Sequence, residues 1–234
     1  MKSKRGRLDR FISRTLQINR KHVRKMLAEG RVIVDGETAR DIALPIDEFT
    51  TVQCDGKLLQ QNTPIYILLN KPIGVVSATK DDQHKTVIDL LEHPQKNELH
   101  IVGRLDLNTS GLLLLTNDSR WSSKLMLPEN KVEKHYLVTL EKPISNEYIE
   151  AFAGGMHFEF EDIITKPVKL EIMNDFQAKV ILTEGRYHQI KRMFGRFRNP
   201  VIGLHRYRIG GLELDTRIDV GESRLLNQDE VNSI

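Results

Sequence analysis

The sequence predicts an α+β protein in which a small basic helical module precedes a larger domain built on a mainly antiparallel sheet. Three observations carry this. Apolar residues recur at helical spacing near the start, the later apolar runs are short and do not alternate regularly with helices, and positive charge is stacked at one end. Residues 1–31 hold eleven Lys or Arg against two Asp or Glu, so with +3 overall the remaining 203 residues carry a net −6.

Each element has its own signal. Leu8, Phe11, Ile12, Thr15 and Leu16 fall on one helical stripe, and Val23, Met26 and Leu27 on another that begins after Asn19, an N-cap residue type. Gly30 suits the helix end. Residues 31–34 and 49–54 read as strands, each closed by an Asp-Gly turn, Asp35-Gly36 and Asp55-Gly56. A first domain over 1–58 follows, then a linker at 59–62 within the polar stretch 57–64, then a second domain over 63–234. In the latter, strands are expected at 65–69, 75–77, 111–116, 135–140, 168–172, 179–182, 201–204 and 212–214. Helices are expected at 87–91, 121–127 (stopped by Pro128), 145–152 and 189–197.

Composition closes off several function classes. Cys54 is the only cysteine, which rules out an internal disulfide framework and Cys-cluster metal sites and fits a reducing compartment, with cytoplasm as the default. No run approaches the roughly 18 apolar residues of a membrane span. The basic start lacks a secretory apolar region, contains Asp9 and runs straight into helix signals, so it reads as folded protein. No Walker loop or GxGxxG is present, and His84, His93 and His100 with Asp81, Asp82 and Glu92 match no compact ligand spacing. Neither metal nor nucleotide cofactor is expected.

The most unusual segment is GRLDLNTSGLLLLTND, residues 103–118, where an acidic loop flanked by glycines runs into an apolar strand. Taken alone, Asp106, Asn108, Thr109 and Ser110 are turn formers before a core strand. Asp106, Asn108, Ser110 and Gly111 also match the start of an EF-hand loop, but position twelve is Asn117 instead of Glu and a strand follows, which argues against calcium.

This segment resembles the motif that carries the catalytic aspartate of pseudouridine synthases. NKPIGVV from Asn70, EKHYLVTL from Glu133 and EGRYHQIKRMF from Glu184 resemble companion motifs, and residues 7–36 resemble the S4 RNA-binding module that precedes the catalytic domain in one branch. The resemblance covers almost the whole chain in the right order. It implies that the second domain is catalytic and needs no cofactor, breaking the C1′–N1 bond of a uridine and rejoining the base through C5. It gives Asp106 the role of nucleophile, Tyr136 that of stacking on the target base, and Lys191 that of ion-pair partner to Asp106. A nearby cation is physically required, since a carboxylate in a pocket stays charged only beside one; the HQIKRMF segment offers Lys191 and Arg192, and the motif match favours Lys191. Without the resemblance, Tyr136 is a half-buried strand aromatic, and Lys191 and Arg192 belong to a solvated helix face. Lys71-Pro72 ends a strand and supports the site.

Arg104 has the reach to fill an RNA stack vacated by a flipped base, and Arg186 and Arg192 are further RNA contacts. Lys4, Arg5, Arg7, Arg10, Arg14, Arg20, Lys21, Arg24 and Lys25 supply phosphate contacts from the basic module. TKPVKLEI from Thr165 and HRYRIGGLELD near the end resemble the branch acting on the small ribosomal subunit. They imply a uridine of 16S rRNA, position 516 in the usual rRNA numbering, in a small-subunit assembly intermediate. A monomer is expected. The competing readings are a large-subunit rRNA pseudouridine synthase of the same family and a non-catalytic S4-type ribosome assembly factor.

Overall fold

The computed structural model describes residues 5–234, and the chain divides into two units, one ending at Pro64 and one spanning Ile65–Ile234. In the first, helices Leu8–Thr15 and Arg20–Ala28 bury Leu8, Ile12, Val23 and Leu27 completely. The Asn19 side chain caps the second helix by accepting the His22 N–H at 2.8 Å, and Gly30 ends it at φ +72°. Both Asp-Gly pairs have positive φ at both residues, the backbone of the tightest hairpin turn. They join an antiparallel sheet in the order Glu37–Thr38, Val32–Val34, Val52–Cys54, Lys57–Gln60. The expected linker at 59–62 is therefore strand over its first half, with Gln60 paired to Val52. As an edge strand it leaves Lys57 and Leu58 exposed, so its composition looks like a linker's.

The second unit is organised by a nine-stranded mixed sheet. Seven strands run in the order Lys169–Asn174, Gln177–Leu182, Lys134–Leu140, Val201–Ile209, Ser110–Thr116, Tyr66–Lys71, Ser223–Leu225. Leu212–Glu213 adds to Val201–Ile209, and His100–Val102 to Ser110–Thr116. Every pairing is antiparallel except one: Val201–Ile209 runs parallel to Ser110–Thr116, with His205 opposite Ser110 and Arg206 opposite Gly111. That seam joins two antiparallel halves, and the functional residues gather at it. Gly111 sits there at φ +104°, where a Cβ would collide with the Arg206 carbonyl.

Two expected elements are absent. Residues 75–77 form only an isolated bridge, Val76 to Thr86, and 87–91 form turns. The Asp89 carboxylate accepts both the Thr86 N–H and its hydroxyl at 2.8 Å, a local turn that competes with helix. The helix expected over 189–197 spans Gln189–Gly195. Its Ile190, Met193 and Phe194 pack with Phe152 of helix Glu147–Gly154 in the core of the half containing Lys134–Leu140. Ser119–Met126 is capped by Asp118, which accepts the Arg120 and Trp121 N–H groups.

Candidate active site

Asp106 lies in the loop between His100–Val102 and Ser110–Thr116, and that loop is held from several sides. The Ser77 hydroxyl donates to the Leu105 carbonyl at 2.7 Å, and the Gly74 N–H donates to the Leu107 carbonyl at 2.9 Å. Lys71, 0% exposed, sends its ammonium to the carbonyls of Pro72, Asp106 and Thr109 at 2.9, 3.1 and 2.8 Å. Burial pushes Lys71 down to about 8; the Asp106 charge opposes this, while Arg206 and Lys191 add to it.

The Asp106 side chain is one-third exposed, and its Oδ2 is the focus of the site. Lys191 Nζ donates to it at 3.2 Å, and His188 Nε2 lies 3.4 Å away. Among the described residues Oδ1 accepts no hydrogen bond, so one carboxylate oxygen is anchored and the other is left for chemistry. His188 reaches this place because it adopts a left-handed conformation, φ +49°, just before helix Gln189–Gly195. Its ring stacks on Tyr187, centroids 3.9 Å apart.

Asp106, Tyr136, His188, Lys191, Leu182 and Leu204 share a pocket of about 90 Å³. Tyr136 comes from strand Lys134–Leu140, directly opposite Arg206. Arg206, 3% exposed, donates through Nε to the Leu112 carbonyl at 2.8 Å and through Nη1 to the Tyr136 hydroxyl at 3.4 Å. A carboxylate beside a lysine ammonium and an imidazole, with an aromatic ring over a small pocket, can attack an electrophilic carbon or take a proton while a planar ring is retained.

The model for RNA pseudouridylate synthase matches residues 65–195, and the model for the S4 domain matches residues 6–52. The chain is 46% identical to ribosomal small subunit pseudouridine synthase A of Pseudomonas aeruginosa, an alignment covering 97% of this chain and all of that protein. The chain belongs to the RNA pseudouridylate synthase family. Identity to the Escherichia coli K12 protein of the same name is 43%, covering 97% of this chain and 99% of that one. A crystal structure of a pseudouridylate synthase superposes with a TM-score of 0.71 at 38% identity, covering 97% and 98% of the two chains.

Within this family member the expected residues separate into groups. Asp106, Tyr136 and Lys191 converge on one pocket, and Arg104 and Arg186 line it as well. Arg192 lies elsewhere: it makes two 2.6 Å contacts to Glu161, and its guanidinium sits 3.7 Å over the Phe158 ring. In the S4 domain, Arg7 and Arg20 are turned to a structural task, both pairing with Asp9, which is 0% exposed. Burial acts to raise the Asp9 carboxyl, but hydrogen bonds from Arg20 and Arg7 outweigh it and hold it below its ordinary value. Lys25 pairs with Glu29 at 3.7 Å. Arg5, Arg10, Arg14, Lys21 and Arg24 are exposed and make no ion pair among the described residues. Lys4 lies outside the described residues.

Sequence reasoning passed over His188 and Arg206. His188 stands in the EGRYHQIKRMF segment, but nothing in a sequence marks a left-handed histidine. Arg206 is in a strand pattern, where arginine reads as a surface residue. The nearest signal was Gly111, since a glycine inside a strand marks the close approach of another backbone.

Proposed function

We propose that the chain isomerises a uridine of 16S rRNA to pseudouridine, with Asp106 as the essential carboxylate. The observation that carries this is the asymmetry of Asp106: Oδ2 accepts from Lys191 and has His188 Nε2 3.4 Å away, while Oδ1 accepts no hydrogen bond among the described residues, in the pocket that Tyr136 also lines. The C1′–N1 bond breaks, the base turns over, a C1′–C5 bond forms, and the C5 proton leaves as N1 gains one. Attack on C1′, addition to C6 and removal of a sugar proton each use the same carboxylate. Tyr136 retains the detached uracil by stacking, and Arg104, exposed at the pocket mouth, fills the gap in the RNA.

The name shared by the relatives supports the small subunit as target, and position 516 is the proposed uridine. The S4 domain grips phosphates through Arg5, Arg10, Arg14, Lys21 and Arg24. No helix among the described residues is long and apolar enough to cross a membrane. The proposed setting is a cytoplasmic monomer acting on an assembly intermediate, because a base must be flipped before it is packed away. Tritium release from 16S rRNA labelled at uridine C5 tests the reaction. Release by the native protein and none by Asp106→Asn is expected. Release from large-subunit rRNA alone would transfer the activity to the other subunit, and tight binding with no release from either would favour the assembly-factor reading.

A further inference from the structure

A second cavity, about 590 Å³, adjoins the catalytic pocket and shares Arg104, Tyr136, Gly185 and Arg186 with it. The reaction as derived above makes no use of it. Its volume falls in the range of small-ligand clefts, roughly 300–1,000 Å³. Leu114, Leu125, Met126 and Ile209 give it an apolar lining, and Lys134, Lys166 and Arg206 give it positive charge.

Among the described residues that charge has no ion-pair counterpart: none of Lys134, Lys166 and Arg206 makes one. Lys166 Nζ donates to the Pro128 carbonyl at 3.0 Å, leaving its other two protons available. The one carboxylate lining the cavity, Glu184, is already engaged by Arg186 at 3.0 Å and by Gln189 and the Lys166 N–H at 2.8 Å. Burial pushes Lys134 down to about 8, with Arg206 and Lys166 adding to the depression, as expected of cations gathered without an anion. An apolar surface beside unpaired cations is complementary to a nucleotide, which offers a flat base and a phosphate. Lys134 and Tyr136 are two residues apart on one strand, so they share a sheet face and place this charge next to the wall facing the target base.

We infer that this cavity receives the nucleotide adjoining the target uridine on the same RNA strand, its base against Leu125 and Met126 and its phosphate at Lys134 and Lys166. The inference rests on the function proposed above and gives the site a means of reading a flanking residue.

The test is a mutant cycle on a 16S rRNA fragment containing the target, with Kd read by fluorescence anisotropy and turnover recorded separately. An abasic residue replaces the nucleotide 5′ or 3′ of the target, and the protein carries Met126→Trp, which fills the cavity without removing a charge, or Lys134→Gln. At one flanking position the abasic substitution should weaken binding to native protein about tenfold. Met126→Trp should weaken binding of the intact fragment similarly, and the combination should be no worse than either alone. Lys134→Gln should weaken binding of intact and abasic fragments alike, because the phosphate is still present. Additive effects of Met126→Trp and the abasic residue, or no effect of either abasic position, would overturn the inference. A non-additive cycle with no turnover on any fragment would keep the cavity and overturn the proposed reaction instead.

Discussion

Arg10, Arg14, Lys21 and Arg24 of the S4 domain stand in solvent with no ion-pair partner among the described residues, whereas Lys71 and Arg206 of the catalytic unit are buried. The exposed set surrounds a small core that needs none of them. The buried set is part of its surroundings: Lys71 ties three carbonyls of the Asp106 loop, and Arg206 bonds the neighbouring strand and Tyr136. The same residue types thus serve two purposes, set by dielectric. In water a cation attracts phosphate over a distance fixed by salt; inside the fold it fixes a geometry and a local field.

Asp106→Asn is the severest break of the interior set's purpose. Tritium release should fall by at least about 1,000-fold with the thermal midpoint unchanged, since the amide keeps the shape and loses the reacting charge. Next comes Lys191→Met, expected to slow the single-turnover rate roughly 10- to 100-fold while Lys191→Arg retains most of it. Changing Arg10, Arg14, Lys21 and Arg24 together to Gln acts on the other side of the comparison. It should weaken RNA binding about tenfold or more and make the slope of log affinity against log salt shallower by about 3, at an unchanged saturated rate. The smallest effect is on stability against pH. Lys71 and Lys134 titrate near 8 in the folded chain against an ordinary 10.5, so between these values the unfolded chain binds more protons and stability rises with pH. Lys134→Met should flatten part of that rise in thermal unfolding followed from pH 7 to 11.

How much of this was legible differs between the two regions for the same physical reason. The S4 domain was readable because its signals are local: the Asn19 cap, the two Asp-Gly hairpins and a helical stripe are each complete within a few residues. Its exposed edge strand, residues 57–60, escaped because it buries too little to leave an apolar pattern. In the catalytic unit the central strands were legible from their apolar runs, but the site is made by a parallel seam between strands nearly 100 residues apart. Asp106 and Lys191 meet across 85 residues, a contact that the resemblance implied and periodicity did not. Lys71 showed as the end of a strand and a support of the site, but not as a fully buried ammonium, since lysine is almost never placed inside. The division among the S4 arginines was equally hidden: Arg7 and Arg20 look like their neighbours until Asp9 is found buried beneath them.

The division of labour between the exposed S4 cations and the cation paired with Asp106 is tested most directly by measuring, on one 16S rRNA fragment, both the Kd and the single-turnover rate at saturating protein. Lys191→Met and the quadruple S4 variant are compared. Lys191→Met should slow the saturated step 10-fold or more with Kd within about twofold of native, and the quadruple variant should show the reverse. A quadruple variant that slows the saturated step as much as Lys191→Met, or a Lys191→Met protein altered only in Kd, would contradict the account.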